Sequence, residues 1–226
     1  MVSIITCTKR PEFLGKIFEN FERQQVEGKE LILVLHGWSQ NGIDVRMEGQ
    51  HIKIIHMPQE TPLGQCFNEA IKHAKYDHIA RFDDDDWYGD LYLTEALAVM
   101  KEKNAAVVGK QTVYIYFEKE QQLAVLFEGK ENRFIHQNNG FLAGSTFLFK
   151  REIAEKVKFP PVFIGEDKGF IEKCKSLGLP MYASSRFHYA YIRYEDSHHT
   201  SDADNRRLKR HCLPLVKIND LSAYFS

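Results

Sequence analysis

Residues 78–91, HIARFDDDDWYGDL, set four consecutive aspartates directly behind a short apolar run and in front of two aromatics and a glycine. A run of that length and character reads as a buried strand, so Asp83, Asp84, Asp85 and Asp86 fall at its carboxyl end. In open α/β sheets the loops leaving the carboxyl ends of the strands frame the ligand crevice. Four adjacent like charges repel one another where water is scarce, and the chain must meet that cost. A divalent cation does so directly, because carboxylate oxygens suit Mg2+ or Mn2+, ions that commonly bridge one or two carboxylates to substrate phosphates. The plainer alternative is a solvated acidic turn in which one aspartate caps a helix beginning near Gly89 or Asp90. An EF-hand fits less well, because its glycine and terminal glutamate are missing from the spacing.

Through the N-terminal half, β-branched apolar runs alternate with helix-period segments, the pattern of a βαβ sheet with helices on its faces. Strands are expected over 2–7, 31–35, 52–56 and 78–82. A helix opens at Pro11 with Phe13, Leu14, Ile17, Phe18 and Phe21 inward, and a second spans 62–75 with Leu63, Cys66, Phe67, Ala70 and Ile71 inward. Farther on, 105–108, 112–117, 123–127 and 144–149 read as strands adding antiparallel to that sheet. Helices follow over 151–157 and 167–177, the latter stopped by Gly178-Leu179-Pro180. The stretch SHHTSDADNRRLKRH, 197–211, has few residues to bury and reads as a mobile loop and a surface helix. The expected fold class is α/β, a mixed central sheet with helices on both faces, in one domain over 1–226.

Charge excludes one class of partner. Lys plus Arg total 30 against 31 for Asp plus Glu, a net charge of -1, which argues against nucleic-acid binding by bulk electrostatics. The four cysteines, Cys7, Cys66, Cys174 and Cys212, show no CxxC spacing, which argues against a zinc cluster and for a reducing compartment, the cytoplasm. The apolar N-terminal run is followed, not preceded, by its basic residues, unlike a signal peptide. No apolar stretch approaches the ~20 residues of a membrane span.

Several segments carry a resemblance. PLGQCFNEAIKHAKYDHIARFDDDDWY, 62–88, resembles the signature of family 2 glycosyltransferases, in which a strand ends in Asp-x-Asp-Asp and an aromatic pair after an Asn-bearing helix. VSIITCTKRPEFL, 2–14, resembles that family's first strand and loop, one residue shorter; GED at 165–167 and IRYEDSHHTS at 192–201 are similar to its acceptor-side Glu-Asp and its terminal Arg/His segment. The opening also resembles the spore-maturation and cell-surface polysaccharide branch. The resemblance implies a GT-A fold, with 1–103 as the nucleotide-sugar half, 104–200 as the acceptor half and 201–226 as a tail.

Carried over by position, the resemblance implies an inverting, metal-dependent hexosyltransferase working from a nucleotide-sugar donor, most simply a UDP-sugar, to a glycan or other hydroxyl acceptor. Asp85 would hold Mn2+ or Mg2+ on the diphosphate, Asp83 would lie near the ribose and base, Asp84 would occupy the variable position between them, and Asp86 would be a supporting or acceptor-side carboxylate. Thr6, Thr8 and Arg10 would line the nucleotide pocket, with Asn68 near the ribose and Arg193 facing phosphate. Asp167, paired with Glu166, would be the base that takes the acceptor's proton; the alternative for that pair is a plain helix cap. His198 or His199 would complete the metal shell or meet the diphosphate from a closing segment.

Two departures stand out. The family's second strand commonly ends in Asp-Asp-Gly-Ser, where this chain has Leu35-His36-Gly37-Trp38; the open readings are a different hydrogen bond from His36, a base stacked on Trp38 or Trp38 as plain loop packing, and a donor carrying another nucleotide than uridine. Phe67-Asn68 stands where Arg-Asn is frequent. The competing readings are a nucleotidyltransferase, which would usually carry a glycine-rich basic first loop that TCTKRPEF lacks, and a catalytically silent sugar-nucleotide or glycan-binding module.

Overall fold

The strand Val2–Thr8 (β1) contains no charged residue and is buried along nearly its whole length, which suits the centre of a parallel sheet. It pairs in parallel with Lys29–His36 (β2) on one side and His78–Arg81 (β4) on the other, while Ile52–Met57 (β3) adds in parallel outside β2. These relations come from a computed structural model that describes residues 1–38, 51–135, 140–194 and 205–225. Beyond β4 the order continues through Leu148–Lys150 (β10), Val107–Gly109 (β6), Met181–Ala183 (β11) and Arg133–Phe134 (β9), with β10 antiparallel to both neighbours.

Alternation along the strands assigns a helix layer to each face. Val2, Ile4, Leu31, Leu33 and Leu35 pack with Ile17 and Phe21 of Leu14–Arg23 (α1) and Leu93 and Ala96 of Tyr92–Glu102 (α3). Ile5, Ile32 and Val34 pack on the other face with Phe67, Ala70 and Ile71 of Leu63–Lys72 (α2), Ile153 of Arg151–Lys156 (α4) and Phe170 of Glu166–Ser176 (α5). Pro11 opens a 3-10 turn over Pro11–Phe13 that leads into α1, a place where its missing N–H costs nothing.

The structure corrects three expectations. Residues 112–117 and 123–127 do not extend the central sheet. As Val113–Phe117 (β7) and Gln122–Leu126 (β8) they form a hairpin in a second sheet, with Tyr189–Arg193 (β12) parallel to β7 and Trp87–Tyr88 (β5) antiparallel to β12. The strand expected over 144–149 begins late because Gly144–Thr146 is a 3-10 turn, closed by the Thr146 hydroxyl donating to Ala143 O at 2.6 Å. The C-terminal segment is also more than a polar tail. Only Asn205–Lys209 (α6) is a helix with nothing buried; Cys212–Lys217 (β13) bonds β8, and Leu221–Phe225 (α7) lays Phe225 against Trp87 with ring centroids 4.9 Å apart. Among the described residues no helix is long and apolar enough to cross a membrane.

Residues 82–86 are therefore the crossing between the two sheets, leaving the first at β4 and entering the second at β5. The aspartates occupy that link.

Candidate active site

The acidic link is held by its backbone. Asn20 of α1 donates to Asp86 O at 2.9 Å and accepts from Tyr88 N at 3.1 Å. Lys16 and the Tyr194 hydroxyl donate to Asp85 O at 3.3 and 3.1 Å. The Tyr88 hydroxyl accepts from Asp83 N and donates to Ser145 O, both at 2.8 Å, and its ring stacks on Phe82. Side chains from α1 and from the second sheet and its margin thus hold much of the link's main chain, and the carboxylates are left to find partners of their own.

Those partners are largely arginines. Arg10 donates through Nε to Asp84 at 3.1 Å, makes a second short bond through Nη2 to the same carboxylate, and reaches Asp85 at 2.8 Å. Thr8 donates its hydroxyl to Asp84 as well. Arg81, at the end of β4, is buried over the Phe67 ring, donates to Asp83 at 3.1 Å, and lies 2.9 Å from Glu166 Oε1 as an ion pair without hydrogen-bond alignment. Asp86 turns away from the others, accepting from the Tyr189 hydroxyl and from Ile192 N at 3.1 Å.

The compensation is incomplete. Burial, then the charges of Asp85 and Asp83, pushes Asp86 well above the ordinary carboxylate range, against the bonds from Tyr189 and Ile192. Asp85 is raised by burial and Asp84, with Arg10 opposing. Asp83 is raised by burial, with Arg81 opposing and Asp85 and Asp84 adding, an effect that water reaching the 34% of its side chain left exposed in the concavity reduces. Glu166 is raised by burial, with Arg81 opposing and Asp167 adding. Arg10 and Arg81 lose solvation but are held above the usual guanidinium value by the carboxylates around them.

Asp86 apart, these charged groups face one cavity of about 480 Å3. Its acidic lining is Asp83, Asp84, Asp85, Glu166 and Asp167, its basic lining Lys9, Arg10 and Arg81, and His36 looks in from the end of β2. Glu166 and Asp167 open α5 behind Gly165, whose φ of +85° is a left-handed turn that glycine makes without strain. Asp167 accepts from Lys168 N at 2.7 Å and packs over Gly144, where a Cβ would stand 2.6 Å from Oδ2. Phe127, Phe141, Phe163, Tyr189 and Tyr191 supply the apolar wall.

The expected site residues divide. Arg10, His36, Asp83, Asp84, Asp85, Glu166 and Asp167 line the cavity. Thr6, Thr8, Asn68 and Arg193 do not. Thr8 reaches the site through Asp84 and the Arg10 backbone, and Thr6 is buried in β1 with no partner for Oγ1 among the described residues. Asn68 clamps Phe159, donating to its carbonyl at 2.8 Å and accepting from its N–H at 3.0 Å, so its amide ties α2 to the loop at Phe159. Arg193 donates to Asn205 and Tyr191, drawn back into the second sheet. Trp38 packs half-buried on the core below β2, as loop packing requires, and does not line the cavity. His198 and His199 lie outside the described residues. Arg81, Gln111, Ser145 and Gly144 were missed; an arginine inside an apolar strand two residues before the acids was a readable signal, since a buried charge must be paired.

The donor set can be tested against Mn2+ or Mg2+. The acids supply hard oxygens and remain under-compensated, as the raised Asp83 and Asp85 show. Among the described residues no three carboxylate ligands converge closely enough to cage an ion. That suits an ion held by one or two carboxylates and completed by phosphate oxygens of a ligand, so the residues fit such a cation.

The sequence model of glycosyl transferase family 2 matches residues 3–158, more than half of the chain. An uncharacterized glycosyltransferase of Haemophilus influenzae is 32% identical over 82 residues, 34% of this chain and 31% of that protein. Among solved structures, S. aureus TarS 1-349 in complex with UDP-GlcNAc gives a TM-score of 0.68 at 16% identity, over 90% of this chain and 61% of that one. The mannosyltransferase PcManGT from Pyrobaculum calidifontis, in complex with GDP-Man and Mn2+, gives 0.63 at 15% identity over 87% and 57%. The chain thus spans less than two thirds of each of these proteins. The structural likeness shows the fold, that of the GT-A glycosyltransferases. With a match running from β1 past the aspartates to the end of α4, the chain belongs to glycosyl transferase family 2.

Proposed function

We propose that this chain transfers a sugar from a nucleotide diphosphate to a hydroxyl acceptor with inversion at the anomeric carbon. The observation that carries the reading is the convergence of the inter-sheet aspartates and the α5 pair Glu166-Asp167 on one cavity. At about 480 Å3 the space lies within the ~300–1,000 Å3 of small-molecule sites. The relatives whose names include UDP-GlcNAc and GDP-Man support a nucleotide-sugar donor. Free thiols at Cys7, Cys66, Cys174 and Cys212 support a reducing compartment, the cytoplasm, and surface or spore polysaccharide is the acceptor class favoured by the sequence resemblance.

In this mechanism Asp167, half-exposed on the cavity wall, accepts the acceptor hydroxyl's proton as its oxygen bonds to the anomeric carbon. The anomeric C–O bond breaks on the opposite face, and its electron pair leaves with the diphosphate. Arg10, its fork engaged by Asp84 and Asp85, holds a fixed positive charge on the cavity wall beside the departing phosphates. Asp85, with Asp83 beside it, would hold a divalent cation, which when bound supplies Lewis-acid stabilisation of the leaving group. Glu166 positions Asp167's turn through its pair with Arg81.

The test is incubation of the chain with a panel of UDP- and GDP-sugars and Mn2+, following sugar release and thermal stabilisation. Turnover with at least one donor is expected. Stabilisation by a donor without any release would point to a binding module, and neither effect with any donor would overturn the reading.

A further inference from the structure

The absence of CxxC spacing argues against a thiolate metal site, yet the fold brings two thiols and an imidazole together from distant segments. Cys7 near the end of β1, His36 at the end of β2 and Cys66 in the first turn of α2 bring their ligand atoms within 4.8 Å of one another. We propose that these residues form a zinc-class metal site, separate from the carboxylate site, with two thiolates, one imidazole and an open fourth position.

Three observations support it. Tetrahedral zinc with Zn–S of about 2.3 Å and Zn–N of about 2.0–2.1 Å sets neighbouring ligand atoms roughly 3.5–3.8 Å apart, so an adjustment of about an ångström closes the set. His36 Nε2 is buried and has no hydrogen-bond partner among the described residues, a state that buried polar atoms seldom occupy without a reason. The three ligands sit on β1, β2 and α2, elements tied by parallel pairing and by the core cluster containing Cys66, so the scaffold is rigid. Cys7 and His36 line the donor cavity while Cys66 lies fully buried behind them. The fourth position therefore opens toward the cavity, to water or to a nitrogen or oxygen donor of a bound ligand.

Ligand softness keeps the two ions apart. Thiolate and imidazole favour zinc-class ions, whereas the aspartates favour Mg2+ or Mn2+. Cys174, buried in the core, and Cys212, beside Leu208, take no part in the cluster. A Cys7–Cys66 disulfide is the competing fate of the two sulfurs, but it would leave the His36 nitrogen unexplained.

The test is titration of the full chain, stripped with a chelator and kept reduced, using Co2+ as the spectroscopic probe and Zn2+ in competition with a chelating dye. The expected result is a single equivalent of Co2+ giving a thiolate-to-cobalt charge-transfer band and tetrahedral visible bands, displaced by Zn2+ and not by excess Mn2+. Cys7→Ser and His36→Gln should each weaken Zn2+ binding about 10-fold or more, and Cys212→Ser should leave it unchanged. Circular dichroism melts verify folding, and if Cys7→Ser fails to fold, His36→Gln carries the same test. No charge-transfer band, undiminished affinity in the folded variants, or a Cys7–Cys66 disulfide found by mass spectrometry in place of metal binding would overturn the proposal.

Discussion

Asp167 lies directly over Gly144, so closely that a Cβ on the glycine would stand 2.6 Å from its Oδ2 and 2.7 Å from its own Cβ. The contact joins the 3-10 turn before β10 to the start of α5. Gly144→Ala should therefore push the carboxylate away from the cavity. Misplacement of a reacting group by about an ångström can cost on the order of 100-fold in rate. Single-turnover kinetics should show that loss, while calorimetry finds nucleotide affinity preserved.

Glu166 and Asp167 are neighbours in sequence with different duties. Asp167→Asn should lower turnover by roughly 100- to 10,000-fold, the usual range for a lost acid or base, with little change in donor affinity. Glu166→Gln should be seen first in stability, because its partner Arg81 is buried with it. Parallel denaturation and rate measurements on the two variants separate the roles; loss of turnover in Glu166→Gln alone would reverse them.

Arg81 is the only cation paired to Asp83 and Glu166 among the ion pairs of the described residues. Arg81→Met removes that charge and leaves both carboxylates to be satisfied by other means. Breaking a buried pair in this way costs about 3–5 kcal/mol, and urea denaturation should find a loss of that order. Arg81→Lys should recover only part of it, since an ammonium lacks the planar fork that reaches both partners.

Much of this arrangement was legible in the chain. The parallel strands and the inward faces of α1, α2 and α5 followed from hydrophobic spacing, and the acids at the end of β4 from the strand before them. Which sheet a later strand joins was not legible, because β7 and β8 read the same whether they extend the first sheet or build a second. β13 was missed because Pro214 interrupts its pattern and most of it is exposed, as an edge strand permits. Asn68 and Arg193 matched a family pattern by position, yet their side chains are committed to Phe159 and to Asn205 and Tyr191. Cys7, His36 and Cys66 escaped notice because ligand spacing rules see local sequence, and these three meet only through the fold.

The raised carboxyls make a signed prediction for pH. Asp83, Asp85 and Asp86 have folded-state values above the ordinary 3.8, so the folded chain holds their protons more tightly than the unfolded chain does. Their contribution to stability is fully present below that value and is lost as pH rises through the folded values. The metal-free chain should thus lose stability between acidic and neutral pH on their account. Mn2+ should restore more at neutral pH than at acidic pH, where protons already neutralise the cluster. Thermal melts with and without Mn2+ at both pH values check this; an equal Mn2+ effect at both would contradict it.

The central claim is that the acidic link grips a nucleotide diphosphate through a divalent cation at Asp85. Calorimetric titration of UDP and GDP into the wild-type chain and Asp85→Asn, each with and without Mn2+, tests it most directly. Mn2+ is predicted to tighten binding of at least one nucleotide by about tenfold or more in the wild type, ~1.4 kcal/mol, and to add nothing in the variant. An undiminished Mn2+ effect in Asp85→Asn would contradict the account.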